Sequence, residues 1–144
     1  MATFRPGKPW WRLKLTSSHT VTAHDLVIAW DAADGQDPTV WSGGTDITIP
    51  TSGLYVLGGT VQRNSLAAVQ ALGFLVRQNG NELSRTQQVQ TANQIGLQVV
   101  TMAELVDGDV ITYQVKGASA GANYNVQSPG TSCWGARIGP VRWT

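Results

Sequence analysis

Asp31, Asp34 and Asp37 place three carboxylates within seven residues, beside Gly35. A calcium loop needs several oxygen ligands on such a flexible turn. These acids stand three apart rather than at alternate positions, and no distal Glu completes the set, so the spacing departs from an EF-hand and reads as a solvated turn. Asp107 and Asp109 flank Gly108 and read as a turn for the same reason. His19 and His24 are five apart, which in a strand sends them to opposite faces, and no Cys or third His accompanies them. No metal site and no cofactor are expected.

A serine or cysteine nucleophile needs a base and an orienting group. Cys133, the single cysteine, sits in Ser-Cys-Trp-Gly-Ala with both histidines far upstream, and reads as a small buried hydrophobe. The chain has no Gly-rich phosphate loop with its Lys, no His-Glu-x-x-His and no Gly-x-Ser-x-Gly elbow. No catalytic residue is expected; a glycosidase built from scattered carboxylates is the enzymatic alternative.

Binding chemistry concentrates at the start of the chain. Phe4, Arg5, Lys8, Trp10, Trp11, Arg12 and Lys14 interleave aromatics with cations, and no acid precedes Asp25. Such a segment can stack on nucleic acid or enter a membrane interface. Trp and Arg are also the residues that enrich protein interface cores, which favours protein docking. Pro6, Gly7 and Pro9 disfavour regular structure. Residues 1–14 are therefore expected to form a short extended attachment arm before a domain over residues 15–144. The alternative, that both Trp rings cover the domain's own core, stays open.

The elements that would position these residues read as strands. Segments that alternate or are rich in β-branched residues recur between turn signals, and none shows sustained helical recurrence. Strands are expected over residues 13–16, 19–30, 45–49, 54–61, 72–79, 96–105, 110–115, 124–127 and 133–141, enough for an all-β, two-sheet sandwich. Asp34-Gly35, Ser42-Gly43-Gly44, Pro50-Thr51-Ser52-Gly53, Asn79-Gly80-Asn81 and Asp107-Gly108-Asp109 are turn chemistry between them. Asn79-Gly80 is the strongest hairpin signal, because both residues tolerate the positive φ of a type I′ turn. Residues 65–72 read equally as a helical turn or as a loop entering a strand.

At 144 residues and 42% hydrophobic the chain suits one domain. Only 13% of residues are charged and the net charge is +1, so the whole chain gives no electrostatic reason to bind nucleic acid. A single cysteine rules out an intrachain disulfide. No run approaches a membrane span and the first residues lack the apolar core of a signal peptide, so synthesis in a cytoplasm is expected.

Three motifs then carry a resemblance. Asp46-Ile-Thr-Ile-Pro-Thr-Ser-Gly-Leu-Tyr55-Val-Leu-Gly-Gly-Thr-Val61 resembles the strand–turn–strand signature of tumour-necrosis-factor-like jelly rolls, which include the globular heads of the first complement component. Leu75-Val-Arg-Gln-Asn-Gly80 resembles their next hairpin, and Ala103-Glu-Leu-Val-Asp-Gly-Asp109-Val-Ile-Thr-Tyr113 their Gly-Asp-strand motif. Val27-Ile-Ala-Trp30-Asp and Thr39-Val-Trp41 further resemble the phage branch. The resemblance spans roughly residues 13–141 and implies an antiparallel jelly roll that forms a homotrimer about a three-fold axis, through one sheet's aromatic and aliphatic face. Carrying no collagen-like stalk, receptor-type disulfide or membrane anchor, the chain is expected to serve a phage particle. Six Trp residues and few charges also exceed what one small core needs to bury, and exposed apolar patches mark interfaces. Burial of about 800 Å² per partner at roughly 25 cal/mol/Å² would supply a gross stabilisation of about 20 kcal/mol, most of it offset by entropy and desolvation.

The expected function is thus a virion structural protein: a capsid decoration or cement protein whose arm holds the major capsid protein, with no nucleic acid or membrane partner. A host-recognition tip on a tail fibre or baseplate, binding surface glycan, is the alternative, and a tail glycosidase the third reading.

Overall fold

The structure is a computed structural model, and it describes residues 8–21, 25–65, 70–90, 95–117, 124–126 and 130–140. Twelve strands follow one another along these residues: β1 (Trp10–Lys14), β2 (His19–Val21), β3 (Asp25–Val27), β4 (Ala32–Asp37), β5 (Ile47–Thr48), β6 (Gly53–Ser65), β7 (Gln70–Gln78), β8 (Asn81–Gln90), β9 (Ile95–Leu105), β10 (Val110–Gly117), β11 (Tyr124–Val126) and β12 (Ser132–Gly139). No helix among the described residues is long and apolar enough to cross a membrane.

The strands form two antiparallel sheets. The long β6 organises the first: β9 pairs along one side of it, while β12 and then β11 pair along the other. Beyond β12 come β1 and the edge strand β4, and β2 extends the sheet from β11. In the second sheet β10 carries β7 on one side and both β3 and β5 on the other, and β8 forms its edge beyond β7.

Alternation puts the core between the sheets. Trp11, Leu13, Tyr55, Leu57, Val61, Leu97, Val99 and Cys133 point inward from the first sheet, to meet Leu72, Phe74, Val76, Ile111, Tyr113 and Val115 from the second. Aromatic rings cluster in this core: Trp11 lies 6.1 Å from Tyr55 on the first sheet, and Tyr113 of the second packs between Trp30 at 5.8 Å and Phe74 at 6.0 Å. Such pairs add roughly 0.5–1.5 kcal/mol beyond area burial. The Tyr113 hydroxyl donates to the Gly58 carbonyl at 2.9 Å, so a polar atom at the centre is satisfied. Burial, with the neighbouring Cys133 adding to it, pushes the Tyr113 hydroxyl well above its ordinary pKa. Cys133 is fully buried, which fits the small-hydrophobe reading, and burial likewise raises its thiol.

Four expectations need correction. Residues 10–14 are not an arm but β1, paired to β12 on one side and β4 on the other, with Trp11 1% exposed and Leu13 fully buried. The division expected at residue 14 therefore falls inside a sheet, because alternation in Trp-Trp-Arg-Leu-Lys sends every second side chain into the core. Residues 32–37 are the strand β4 rather than a solvated turn; backbone pairing to β1 holds them extended without any apolar alternation of their own. The single strand expected over residues 19–30 is divided into β2 and β3, with Trp30 in an isolated bridge to Gly44; His24 lies outside the described residues. Finally, β8 follows the Asn79-Gly80 turn as a ten-residue strand, the second arm of the hairpin expected there, which the expected strands had not included. That turn itself is as expected, with φ of 50° at Asn79 and 82° at Gly80. Of the undecided residues 65–72, 66–69 lie outside the described residues and the rest are in β6 and β7.

Candidate functional site

The outward face of the first sheet can be followed rung by rung across β9, β6, β12 and β1. One rung runs Met102, Val56, Ala136, Trp10. The next runs Val100, Gly58, Trp134, Arg12, and the third Gln98, Thr60, Ser132, Lys14. Two apolar rungs thus grade into a polar one that ends in a cation. Met102 is 65% exposed, Val100 59% and Trp10 43%, an unusual concentration of large apolar side chains in water.

Glycines shape this face. A Cβ on Gly58 would collide with the Trp134 ring, and one on Gly35 would collide with the Trp10 ring, so both indoles lie down on neighbouring strands. Trp10, Arg12, Thr60, Ser132, Trp134 and Ala136 border a recess of about 520 Å³. The residues lining it include three tryptophans, two hydroxyls and a guanidinium but no carboxylate. It can therefore take up an apolar or hydroxylated group by contact, and it offers no general acid or base of the kind glycoside hydrolysis requires.

The cations beside it are tied to β4. Register shifts between Arg12 and Leu13 and leaves Asp34 as the extra residue of a bulge. Its carboxylate stands 2.7 Å from Lys14 Nζ and 3.9 Å from Arg12 Nε, surface pairs worth about 0–1 kcal/mol each. Asp31 accepts from the Thr16 amide at 2.6 Å and hydroxyl at 3.0 Å, and lies 4.0 Å from His19. These acids thus serve the protein's own donors. Among the described residues no group of three or more His, Cys, Asp or Glu is placed to hold a metal ion.

Of the expected attachment residues, Trp10, Arg12 and Lys14 share the outward face, whereas Trp11 points into the core. Lys8 donates to the Ile138 carbonyl at 3.3 Å, and the Pro9 carbonyl accepts from the Arg137 amide at 2.9 Å, so the chain is already fastened to β12 here. Phe4 and Arg5 lie outside the described residues. Sequence reasoning missed Trp134, Val56, Val100 and Met102 as surface residues. The signal was present in Leu97-Gln-Val-Val-Thr-Met-Ala-Glu-Leu105, where the inward set Leu97, Val99 and Leu105 leaves Val100 and Met102 on the other face.

A second polar centre lies at the turn end of the second sheet. Asp109, 6% exposed, accepts from Gln78 Nε2 at 2.7 Å, Asn79 Nδ2 at 2.9 Å and the Val106 amide at 2.9 Å. Burial works to raise its carboxyl, but the hydrogen bonds from the Val106 amide, Asn79 and Gln78 outweigh it and hold the group below its ordinary pKa. Asn79 Oδ1 in turn accepts from the Val110 amide at 2.9 Å, which closes the clasp between two turns.

Two packed antiparallel sheets with this connectivity define a jelly roll of the tumour-necrosis-factor-like kind. Solved structures with the same fold include murine APRIL at pH 5.0, at a TM-score of 0.72 and 15% identity over 91% of this chain and 99% of that one. They also include Eiger TNF from S. frugiperda, at a TM-score of 0.72 and 12% identity over 96% of each chain. No protein-family profile and no curated protein matches the chain.

Proposed function

We propose that this chain is a structural protein of a phage particle, a homotrimer that decorates the capsid and holds to the major capsid protein. The observation that carries the reading is the outward face of the first sheet, where two apolar rungs and a Trp-bordered recess stand in solvent on a fold whose own core is already filled. A second and third copy would cover that face, as closed rotational symmetry allows. The resemblance of residues 27–41 to the phage branch supplies the setting. Attachment falls to the residues before β1: Phe4, Arg5 and Lys8 are the ones left for contact with a shell once Trp11 is in the core and Trp10, Arg12 and Lys14 lie on the sheet.

The test is to label this chain with gold on intact particles and image them by electron microscopy, alongside light scattering of the purified protein. Label on heads and a mass near three chains are the expected results. Label confined to fibre tips or baseplates overturns decoration in favour of a glycan-binding tip, and a monomer both in solution and on the particle overturns the trimer.

A further inference from the structure

Asparagine is chemically labile, and most so before glycine, where no side chain shields the backbone nitrogen that can attack its amide. Asn79 is the one asparagine of this chain that precedes a glycine. The pair stands exposed at the tip of the β7–β8 hairpin, with open space beside Gly80. The reaction needs only water and mild base. The Gly80 nitrogen, on losing its proton, attacks Asn79 Cγ; that bond forms, the Cγ–Nδ2 bond breaks, and the side-chain nitrogen leaves with the proton as ammonia. Water then opens the cyclic imide. Cleavage between the Gly80 nitrogen and Cγ yields aspartate, and cleavage at the main-chain carbonyl carbon yields isoaspartate, which routes the backbone through the side chain.

The fold opposes the first step. Asn79 Nδ2 donates to Asp109 Oδ1 at 2.9 Å, its Oδ1 accepts from the Val110 amide at 2.9 Å, and its own amide donates to the Val110 carbonyl at 2.8 Å. Attack makes Cγ tetrahedral and expels Nδ2, so both side-chain hydrogen bonds must be given up before it proceeds. The product meets a second obstacle. A carboxylate in place of the amide faces the Asp109 carboxylate across the distance over which Nδ2 had donated, and like charges that close disfavour each other. Asp109 keeps its other donors, Gln78 Nε2 and the Val106 amide, so it has no need to yield.

We propose that Asn79 is a modification site, a deamidating asparagine guarded by the clasp: it reacts only while the clasp is open, and the acid it becomes keeps the clasp from closing again. Loss of ammonia makes the change one-way. A copy that stays folded keeps its amide, whereas a copy that opens is marked covalently, and the turn between β7 and β8 parts from the turn between β9 and β10.

The experiment incubates the protein in mildly alkaline buffer below its Tm and follows the amide-to-acid mass change by peptide mass spectrometry. Arg77 and Arg85 bracket Asn79 and Asn81 on one tryptic peptide, and fragmentation separates the two positions. The arms are folded wild type, wild type unfolded in guanidinium, and Asp109→Ala shown to be folded by circular dichroism. Conversion at Asn79 should run roughly tenfold or more faster in the second and third arms than in the first, because the rate scales with the fraction of time the clasp is open. Asn81, which precedes Glu82, should stay slow in all three. Equal rates in folded and unfolded wild type overturn the guarding without reliance on any variant, and conversion at Asn79 no faster than at Asn81 in the unfolded chain overturns the site. The product is tested separately. Asn79→Asp should melt several degrees below Asn79→Gly, which removes the donor without adding a charge and suits the φ of 50°. Equal Tm for these two variants overturns the claim that the new acid holds the clasp open.

Discussion

Asp109 is a carboxylate that the fold holds ionised. Three donors converge on it from the Gln78 side chain, the Asn79 side chain and the Val106 amide, and its own carbonyl accepts from the Ile49 amide at 2.8 Å. Asp109→Ala leaves those donors buried without an acceptor, which costs about 2–3 kcal/mol and lowers Tm by roughly 5–10 °C in a chain of this size. Differential scanning calorimetry measures it. The pH dependence follows from the depressed pKa: in acid the unfolded chain takes up a proton that the folded carboxyl resists. The clasp therefore contributes its full stability above the unfolded value of about 3.9, and that contribution is lost as pH falls through the lower folded value. Asp109→Asn should show a flatter decline in Tm below pH 4 than the wild type. Parallel profiles would mean that other carboxylates govern acid unfolding. The acids near β4 make a second residue-scale prediction. Asp34 faces Lys14 and Asp31 faces Thr16, so a chelator should leave Tm unchanged, and a shift of several degrees would reveal a bound cation.

At the scale of elements, β1 decides where the domain begins. Trp11 is a core residue that contacts Tyr55, and a Cβ on Gly135 would collide with its ring. Trp11→Ala should destabilise by about 3–5 kcal/mol. Trp11→Phe should cost less, since Trp11 Nε1 is buried without a hydrogen-bond partner and its loss relieves that burial. Deleting residues 2–7 should leave the cooperative unfolding transition in place, whereas deleting residues 2–11 should abolish it, because the second deletion takes the start of a strand paired on both sides. Circular dichroism through a thermal ramp distinguishes the two; equal transitions in both would return residues 10 and 11 to an arm. Core strands were legible in the sequence: Ile-Thr-Tyr-Gln-Val in β10 alternates as a half-buried sheet demands, and Leu-Tyr-Val-Leu in β6 is a short apolar run that follows a turn signal. Edge strands were not. Ala-Ala-Asp-Gly-Gln-Asp in β4 is strand only because β1 offers it hydrogen bonds, and Asn-Glu-Leu-Ser-Arg-Thr-Gln-Gln-Val-Gln in β8 reads as loop composition until the Asn79-Gly80 turn folds it against β7. The aromatic recess was half legible: Trp10 and Arg12 stood out in sequence, but their meeting with Trp134 and Thr60 depends on pairings between residues far apart in the chain.

On the scale of the whole molecule, the proposed trimer makes stability a function of concentration. A protomer that buries Trp10, Val100 and Met102 only in the assembly gains free energy from its partners by mass action, so the folded trimer should melt at a Tm that rises with protein concentration. An isolated monomer unfolds at a Tm independent of concentration. The core of each protomer is complete without a partner, so dissociation need not unfold it. Dilution should therefore separate two events, loss of the trimer and then melting of the protomer at a lower, constant Tm. Calorimetry over a hundredfold range of concentration, paired with sedimentation at each one, reads both. Met102→Glu should shift the wild-type curve onto the constant lower branch at every concentration. A single Tm across the whole range, shared by wild type and variant, would show that the exposed rungs of the first sheet contribute nothing to assembly.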